Sequence, residues 1–479
     1  MLGLRVSSAR EDGTKLIGTI AAFCERHGIA TSTFGRLAVN DGKFVSRISR
    51  GSWIERETAR RVRNFMDRAE RGEVVLGGRP RRKKEQSRAY RMAELISQET
   101  SIRTPGSFAI HEQRHRFHVF AATTNESWVT ADIITRDLAN LVPGPDGFRL
   151  FYSPMDNGIA LVRALRALHS MHPDVPVQVV IKGWGLEDLR NTMGRMVDRL
   201  VEHPLTVFVM TNLYTREAVH LDKTADDGPG GLSWHDVAFE GTRAYDYQKQ
   251  MGGLFNALAR EWVVVQGPDD LPVYARPSVV CFYRADRRDV LRALIPGRGG
   301  ADLTFDYCFL NHPFLHSHTM TFRTEYVLKP VIGCLAPGGR MKVVQSLCDD
   351  PAHDIVRRVW PDQPVRCVSR HEIISALRKS LGDGQKEVSF SGLTDARSLF
   401  RFDMHTLPTI QGEYPGTLSL SLQSAWNNAV FFVQVKEDVV QAAMRESDRY
   451  LHVTREVLLG HGGLWFVNET FSVRRKRRA

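Results

Sequence analysis

The spacing of apolar positions changes along the chain, from a helical period near the start to alternating strands and helices later. Over residues 15–28, Leu16, Ile20, Phe23 and Cys24 share one helical face, and Gly28 stops the run. A second short helix is predicted over 31–39, capped by Thr31, with Phe34, Leu37 and Ala38 turned inward. Asn40, Asp41 and Gly42 form a turn, because all three tolerate left-handed backbone. A third helix, 43–50, places Phe44, Val45 and Ile48 inside and Lys43, Ser46, Arg47 and Arg50 outside, with Gly51 ending it. A fourth, 53–70, carries Trp53, Ile54, Val62, Phe65 and Met66.

After a good amphipathic helix at 126–141 the period changes. Strands are predicted at 148–153, 177–182 and 206–213, separated by helices 158–171 and 186–201. Residues 214–276 break the alternation and read as an insertion with a loop at 226–231 and a helix at 245–260. Alternation resumes with strands 277–285, 305–314 and 339–347, helices 322–335, 352–359 and 370–381, and late strands 398–402 and 429–435. Apolar, β-branched strands alternating with helices predict an α/β fold: a mostly parallel sheet covered on both faces. Such a sheet binds its ligand beyond the strand carboxyl ends. The expected organisation is a helical domain at 1–75, a basic linker and connecting segment at 76–125, an α/β domain at 126–473 and a basic tail at 474–479.

Charge sharpens this division. Of a net +11, residues 1–90 carry +10 and 474–478 carry +5, leaving −4 for 91–473. A basic surface confined to the ends points to a nucleic-acid partner at those ends. Two short helices joined by a tight turn, the second cationic outside, have helix-turn-helix geometry, and the second is short enough to enter a DNA major groove. Lys43, Ser46, Arg47 and Arg50 are the candidate contacts, with Arg81, Arg82 and Lys83 of the linker tracking phosphates. The other reading is a four-helix bundle that touches no DNA. No apolar stretch is long enough for a membrane span, and the first residues lack the apolar core of a signal peptide, so a cytoplasmic protein is expected. The six cysteines form no C-x-x-C, and buried free thiols are expected rather than a zinc site or a disulfide.

Two resemblances add to this. The run T-S-T-F-G-R-L-A-V-N-D-G-K-F-V-S-R-I-S-R-G resembles the helix-turn-helix stretch of bacterial transcriptional regulators. It implies double-stranded DNA as partner and a homodimer. Leu335-Ala336-Pro337-Gly338-Gly339-Arg340-Met341-Lys342-Val343-Val344 resembles the turn and fifth strand of class I methyltransferases. The chain is also similar to bacterial proteins that fuse the two modules and share stretches such as L-E-D-L-R, V-E-H-P-L-T-V-F-V-M-T-N and H-G-G-L-W-F.

The resemblance implies a Rossmann-like mixed sheet and S-adenosylmethionine as cofactor. It assigns the cofactor to Ser153, Asp156 and Gly158 after the first strand and Asn212 after the third. Asn311-His312-Pro313-Phe314 resembles the N-P-P-F/Y motif of amino-group methyltransferases. There the Asn oxygen and a backbone carbonyl accept the amine hydrogens and the aromatic ring stacks on the substrate; His312 replaces the first proline. The cofactor turn departs from the family, with Pro154 and Met155 where glycines are usual and no acid at the end of the second strand. Three functions stay open: a DNA-binding regulator whose large domain senses or assembles, an active methyltransferase acting on an amino group of DNA or protein, and a purely structural assembly protein. His312, His316 and His318 invite a metal reading, but no thiol or carboxylate cluster accompanies them in sequence, and none is expected.

Overall fold

The computed structural model describes residues 10–12, 14–27, 29–49, 53–71, 113–153, 156–183, 185–222, 231–266, 272–297, 303–362, 365–405 and 415–477. The candidate DNA contacts Arg50, Arg81, Arg82 and Lys83, and the turn residues Pro154 and Met155, lie outside these. The chain forms two compact units, Met1–Met92 and Ala93–Ala479.

In the first unit, α1 (Thr14–Arg26), α2 (Thr31–Val39), α3 (Phe44–Ile48) and α4 (Arg56–Glu70) surround Ile20, Phe23, Phe34, Phe44, Ile48 and Val62. The turn between α2 and α3 follows the predicted chemistry. Asn40 has φ 56° and its N–H donates to the Arg36 carbonyl, while Asp41 accepts from the Lys43 N–H at 2.9 Å. The fourth helix starts later than its spacing suggests. Trp53–Glu55 (β2) instead pairs antiparallel with Arg10–Asp12 (β1), a partner more than forty residues away that the local pattern does not reveal.

The second unit is built on a ten-stranded sheet. Its centre is five parallel strands: β3 (Phe148–Ser153), β4 (Val177–Lys182), β5 (Thr206–Thr211), β10 (Phe305–Asn311) and β11 (Leu335–Ser346). With β6 (Ser233–Phe239), β9 (Ser278–Arg284), β12 (Val388–Ser391), β13 (Leu399–Asp403) and β14 (Trp465–Arg475), the order is β12-β14-β11-β10-β3-β4-β5-β9-β6, and β13 pairs with β14. From β3 the chain winds outward through β4 and β5, then returns to β10 on the other side of β3. The switch in strand order therefore falls between β3 and β10. This is a mixed α/β unit whose central sheet is parallel. The segment 214–276 adds β6 and a helix and extends the sheet beyond β9.

Alternate strand residues supply two cores. Phe151, Val180, Val209 and Cys308 face one layer; Leu150, Tyr152, Ile181 and Phe208 face the other, against α7 (Ile159–Met171) and α8 (Leu186–Glu202). These helices follow α5 (Arg114–Thr123) and α6 (Glu126–Leu138) in the chain. A third core joins α5 to β13 and β14 and to later helices through Phe120, Trp426, Phe402 and Phe466. Among them are Pro351–Val359 and Pro415–Phe432, the latter covering most of the strand expected at 429–435. There Ala425, Trp426, Ala429, Val430 and Val433 are buried at helical spacing, and a short apolar β-branched run cannot by itself distinguish a buried helix from a strand.

The thiols also differ from expectation. Cys348 and Cys367 are joined as a disulfide, while Cys24, Cys281, Cys308 and Cys334 are free and buried. Among the described residues no helix is long and apolar enough to cross a membrane.

Candidate functional site

The carboxyl ends of β3 and β10 lie side by side, with Ser153 in register with Leu310. Past β3, Asp156 folds back on the chain: one oxygen accepts from the Gly158 N–H at 2.6 Å and the other from the Tyr152 hydroxyl at 2.9 Å. Asn157 accepts from the Ile159 N–H at 3.0 Å, and its carbonyl accepts from Arg195 at 2.8 Å. Gly158 has φ 78°, and a Cβ there would meet Thr192 Cα at 3.0 Å. Glycine is thus required both by conformation and by the approach of α8. Gly158→Ala is expected to destabilise the large unit by roughly 1–3 kcal/mol, read as a lower denaturant midpoint at unchanged slope.

Past β10, His312 takes a left-handed conformation, φ 47°, and its N–H donates to the Val344 carbonyl at 2.9 Å. Its Nε2 lies 3.2 Å from Glu126 Oε1, at the start of α6, and 3.0 Å from Asn468 Nδ2 on β14. Asn311 is buried, and its Oδ1 has no hydrogen-bond partner. A buried acceptor without a partner is rare and needs a reason.

Acidic groups gather beside this end of the sheet. Asp188, in the first turn of α8, is fully buried and paired with Arg114 of α5; its Oδ2 has no hydrogen-bond partner. Burial raises the Asp188 pKa to about 7, with Arg114 opposing and the charges of Asp156 and Glu187 adding. Burial likewise lifts Asp156 to about 6, against its bonds from Gly158 and Tyr152, and Glu126 adds to the rise. An acid that holds its proton more tightly when folded stabilises the fold at low pH and loses that contribution as pH rises. Asp156→Asn is therefore expected to unfold at a higher temperature than wild type at pH 8 and at an equal one near pH 4. Thermal scans across that range check it.

The remaining expected residues sit differently. Asn212 is buried, and both ends of its amide tie β5 to β9: Nδ2 donates to the Arg276 carbonyl at 3.0 Å and Oδ1 accepts from the Ser278 N–H at 2.7 Å. Phe314 is buried in the sheet core under the Arg323 guanidinium, 5.0 Å from the ring centre, so it offers no stacking face. Lys182, not an acid, ends β4 and is buried. The structure thus groups Ser153, Asp156, Gly158, Asn311 and His312 at the strand switch, while Asn212 and Phe314 serve packing. Sequence reading did not assign Arg114, Glu126 or Asn468 to the site. Glu126 was legible only as the first residue of an amphipathic helix.

In the first unit, Lys43, Ser46 and Arg47 are all exposed. Ser46 donates to the Lys43 carbonyl at 2.9 Å, and Arg47 pairs with Asp41 at 2.8 Å.

No family model matches the chain, and no curated protein matches it. Among solved structures, cofactor-bound Rv0187 from MTB is similar at 9% identity over 71% of this chain and 89% of its own, with a TM-score of 0.21. The phosphoethanolamine N-methyltransferase 2 of Haemonchus contortus, with phosphomonomethylethanolamine and S-adenosylhomocysteine, is similar at 8% identity over 72% of this chain and 100% of its own, with a TM-score of 0.17. The selenomethionine form of that enzyme, with S-adenosyl-L-methionine, gives 9%, 73%, 99% and 0.17. Likeness at this level carries no functional argument, which must rest on strand order and on the residues at the switch.

Proposed function

We propose that the large unit is an S-adenosylmethionine-dependent methyltransferase acting on an amino group. The observation that supports it most is Asn311 Oδ1, a buried acceptor without a partner at the end of β10, beside the strand switch. An amine donor at that strand end would satisfy it, and the His312 carbonyl would take a second hydrogen, leaving the nitrogen lone pair free. The cofactor supplies an electrophilic methyl group on a sulfonium. Its sulfonium and ammonium suit a site that gathers Glu126, Asp156 and Asp188, where a cation relieves repulsion among buried carboxylates. Its carboxylate has no ready backbone donor at the start of α7, because Asp156 and Asn157 already cap the Gly158 and Ile159 N–H groups. The test is transfer of a labelled methyl group from S-adenosylmethionine to duplex DNA and to protein acceptors by the intact chain. Label on an amino nitrogen of either, lost in Asn311→Ala, is the expected result; no transfer to any amine contradicts it.

The same two caps favour a second reading, in which the large unit binds a ligand without turnover and the first unit binds DNA to regulate transcription. Lys43, Ser46 and Arg47 are the exposed groups that would meet the duplex. Fluorescence anisotropy with a DNA duplex at several salt concentrations tests it. Phosphate contact predicts affinity that falls steeply with salt and weakens in Arg47→Ala.

A further inference from the structure

Among the described residues outside the strand switch, one cluster of metal-ligating side chains stands without a role. A ring nitrogen of His316 and the sulfurs of Cys348 and Cys367 all lie within 4.8 Å of one another. They come from three separate places: the loop after β10, the segment after β11 and the stretch before the helix Arg370–Leu381. We propose that, with its cysteines reduced, this cluster is a zinc-type metal site, with His316, Cys348 and Cys367 as its three protein ligands and water as the fourth.

The surroundings are those of a ligand shell. His316 Nε2 is buried and has no hydrogen-bond partner. Its backbone N–H is fixed by Gln434 Oε1 at 2.8 Å. His353 is fully buried, and its ring centre lies 6.4 Å from that of His316. Its Nδ1 is held by Asp350 Oδ1 at 2.8 Å, which leaves Nε2, also buried and without a partner. His316 keeps an unused ring nitrogen where burial makes it costly. Two thiolates, a neutral imidazole, a water and a divalent ion sum to zero charge, so the filled site adds no net charge to a half-buried position.

The sequence spacing hides this site because the ligands are spread from 316 to 367 with no paired motif. His316 also lines a cavity of about 620 Å³, together with His318, Trp360, Glu372 and Gln434, through which an ion can enter.

The disulfide between Cys348 and Cys367 is the oxidised counterpart of the same site. A dithiol reductant delivers two electrons and two protons to the bond, giving two thiols and becoming a disulfide itself. Metal binding then releases both thiol protons. Metal and disulfide therefore exclude each other.

The test uses the full chain, reduced with a phosphine and separated from it without oxygen. Zinc measured by plasma mass spectrometry should approach one ion per chain, and cobalt(II) should give thiolate charge-transfer and strong tetrahedral bands. Protein left oxidised should bind at least tenfold less. Cys348→Ser, Cys367→Ser and His316→Ala should each lose the cobalt bands. Independently of any variant, zinc should protect two thiols of the reduced wild type from a thiol reagent, mapped by peptide mass to Cys348 and Cys367 and freed again by a chelator. Reduced wild type without bound metal, protection of other cysteines, or a doubly substituted Cys348→Ser, Cys367→Ser protein that binds as much as wild type would each overturn the proposal.

Discussion

Asn311→Ala should lower the rate constant for amine methylation by roughly 10²–10³-fold, the usual cost of removing one preorganised polar contact to the reacting group. The same substitution should change the unfolding free energy by less than about 1 kcal/mol. The two expectations follow from one fact: Asn311 Oδ1 is buried and bonded to nothing in the protein. Truncating a residue whose acceptor is already satisfied normally costs stability, because its donor is left unpaired. Here no donor is orphaned, and a desolvated oxygen is removed. A large loss of rate at near-constant stability is the signature of a contact made only to substrate. A loss of stability as large as that of rate would mean that Asn311 holds the loop instead. Single-turnover kinetics and denaturant unfolding of the same preparations separate the two.

Arg370→Ala should be among the most destabilising single changes in the large unit, at about 3–5 kcal/mol. Arg370 and Glu469 are both almost fully buried. Glu469 Oε2 accepts from Arg370 Nη1 at 2.7 Å, and Oε1 accepts from the Arg370 backbone N–H and from Gln345 Nε2, each at 2.7 Å. Arg370 Nε donates to the Gly392 carbonyl at 2.8 Å, and its guanidinium also reaches Asp395. One guanidinium thus ties the helix Arg370–Leu381 to β14 and to the segment after β12. Removing the guanidinium takes from a buried carboxylate its charged partner, one of its three donors. Replacing the pair together, Arg370→Met with Glu469→Leu, should recover most of the loss, because apolar packing needs no compensating charge. Chemical denaturation of the single and double variants gives the coupling directly. If Arg370→Ala costs under about 1 kcal/mol, the pair is not a structural tie.

The parallel strands were legible where β-branched runs are short and bounded, as at 148–153, 177–182 and 206–211, and those segments are strands. The helix predicted at 370–381 is a helix, and the structure adds a capping box made by Ser369 and Glu372. The run at 429–435 misled because a buried helix and a buried strand look alike over seven apolar residues; only the preceding turns, with Ala425 and Trp426 inward, decide it. For the candidate site, Asp156, Gly158, Asn311 and His312 came from the family resemblance, and they lie at or just past strand ends, where ligands bind in such sheets. Asn212 also follows a strand end, yet its amide is spent on β9, a partner introduced by the inserted segment. Arg114, Glu126 and Asn468 were invisible as site residues. Arg114 meets Asp188 across 74 positions and Asn468 meets His312 across 156, distances over which local pattern carries no information. The thiols failed for the same reason: Cys348 and Cys367 share no motif, and only the fold brings them to His316.

The most direct measurement is calorimetric titration of the intact chain with S-adenosylmethionine at pH 7.5. Saturable binding of one molecule per chain is predicted, with a dissociation constant on the order of 10 μM. At 1 mM cofactor that corresponds to about 2.7 kcal/mol of added stability. Wild-type protein that shows neither heat of binding nor any rise in unfolding temperature at 1 mM cofactor would contradict methyl transfer. The acidic groups at the end of β3 and β10 would then belong to a ligand of another kind.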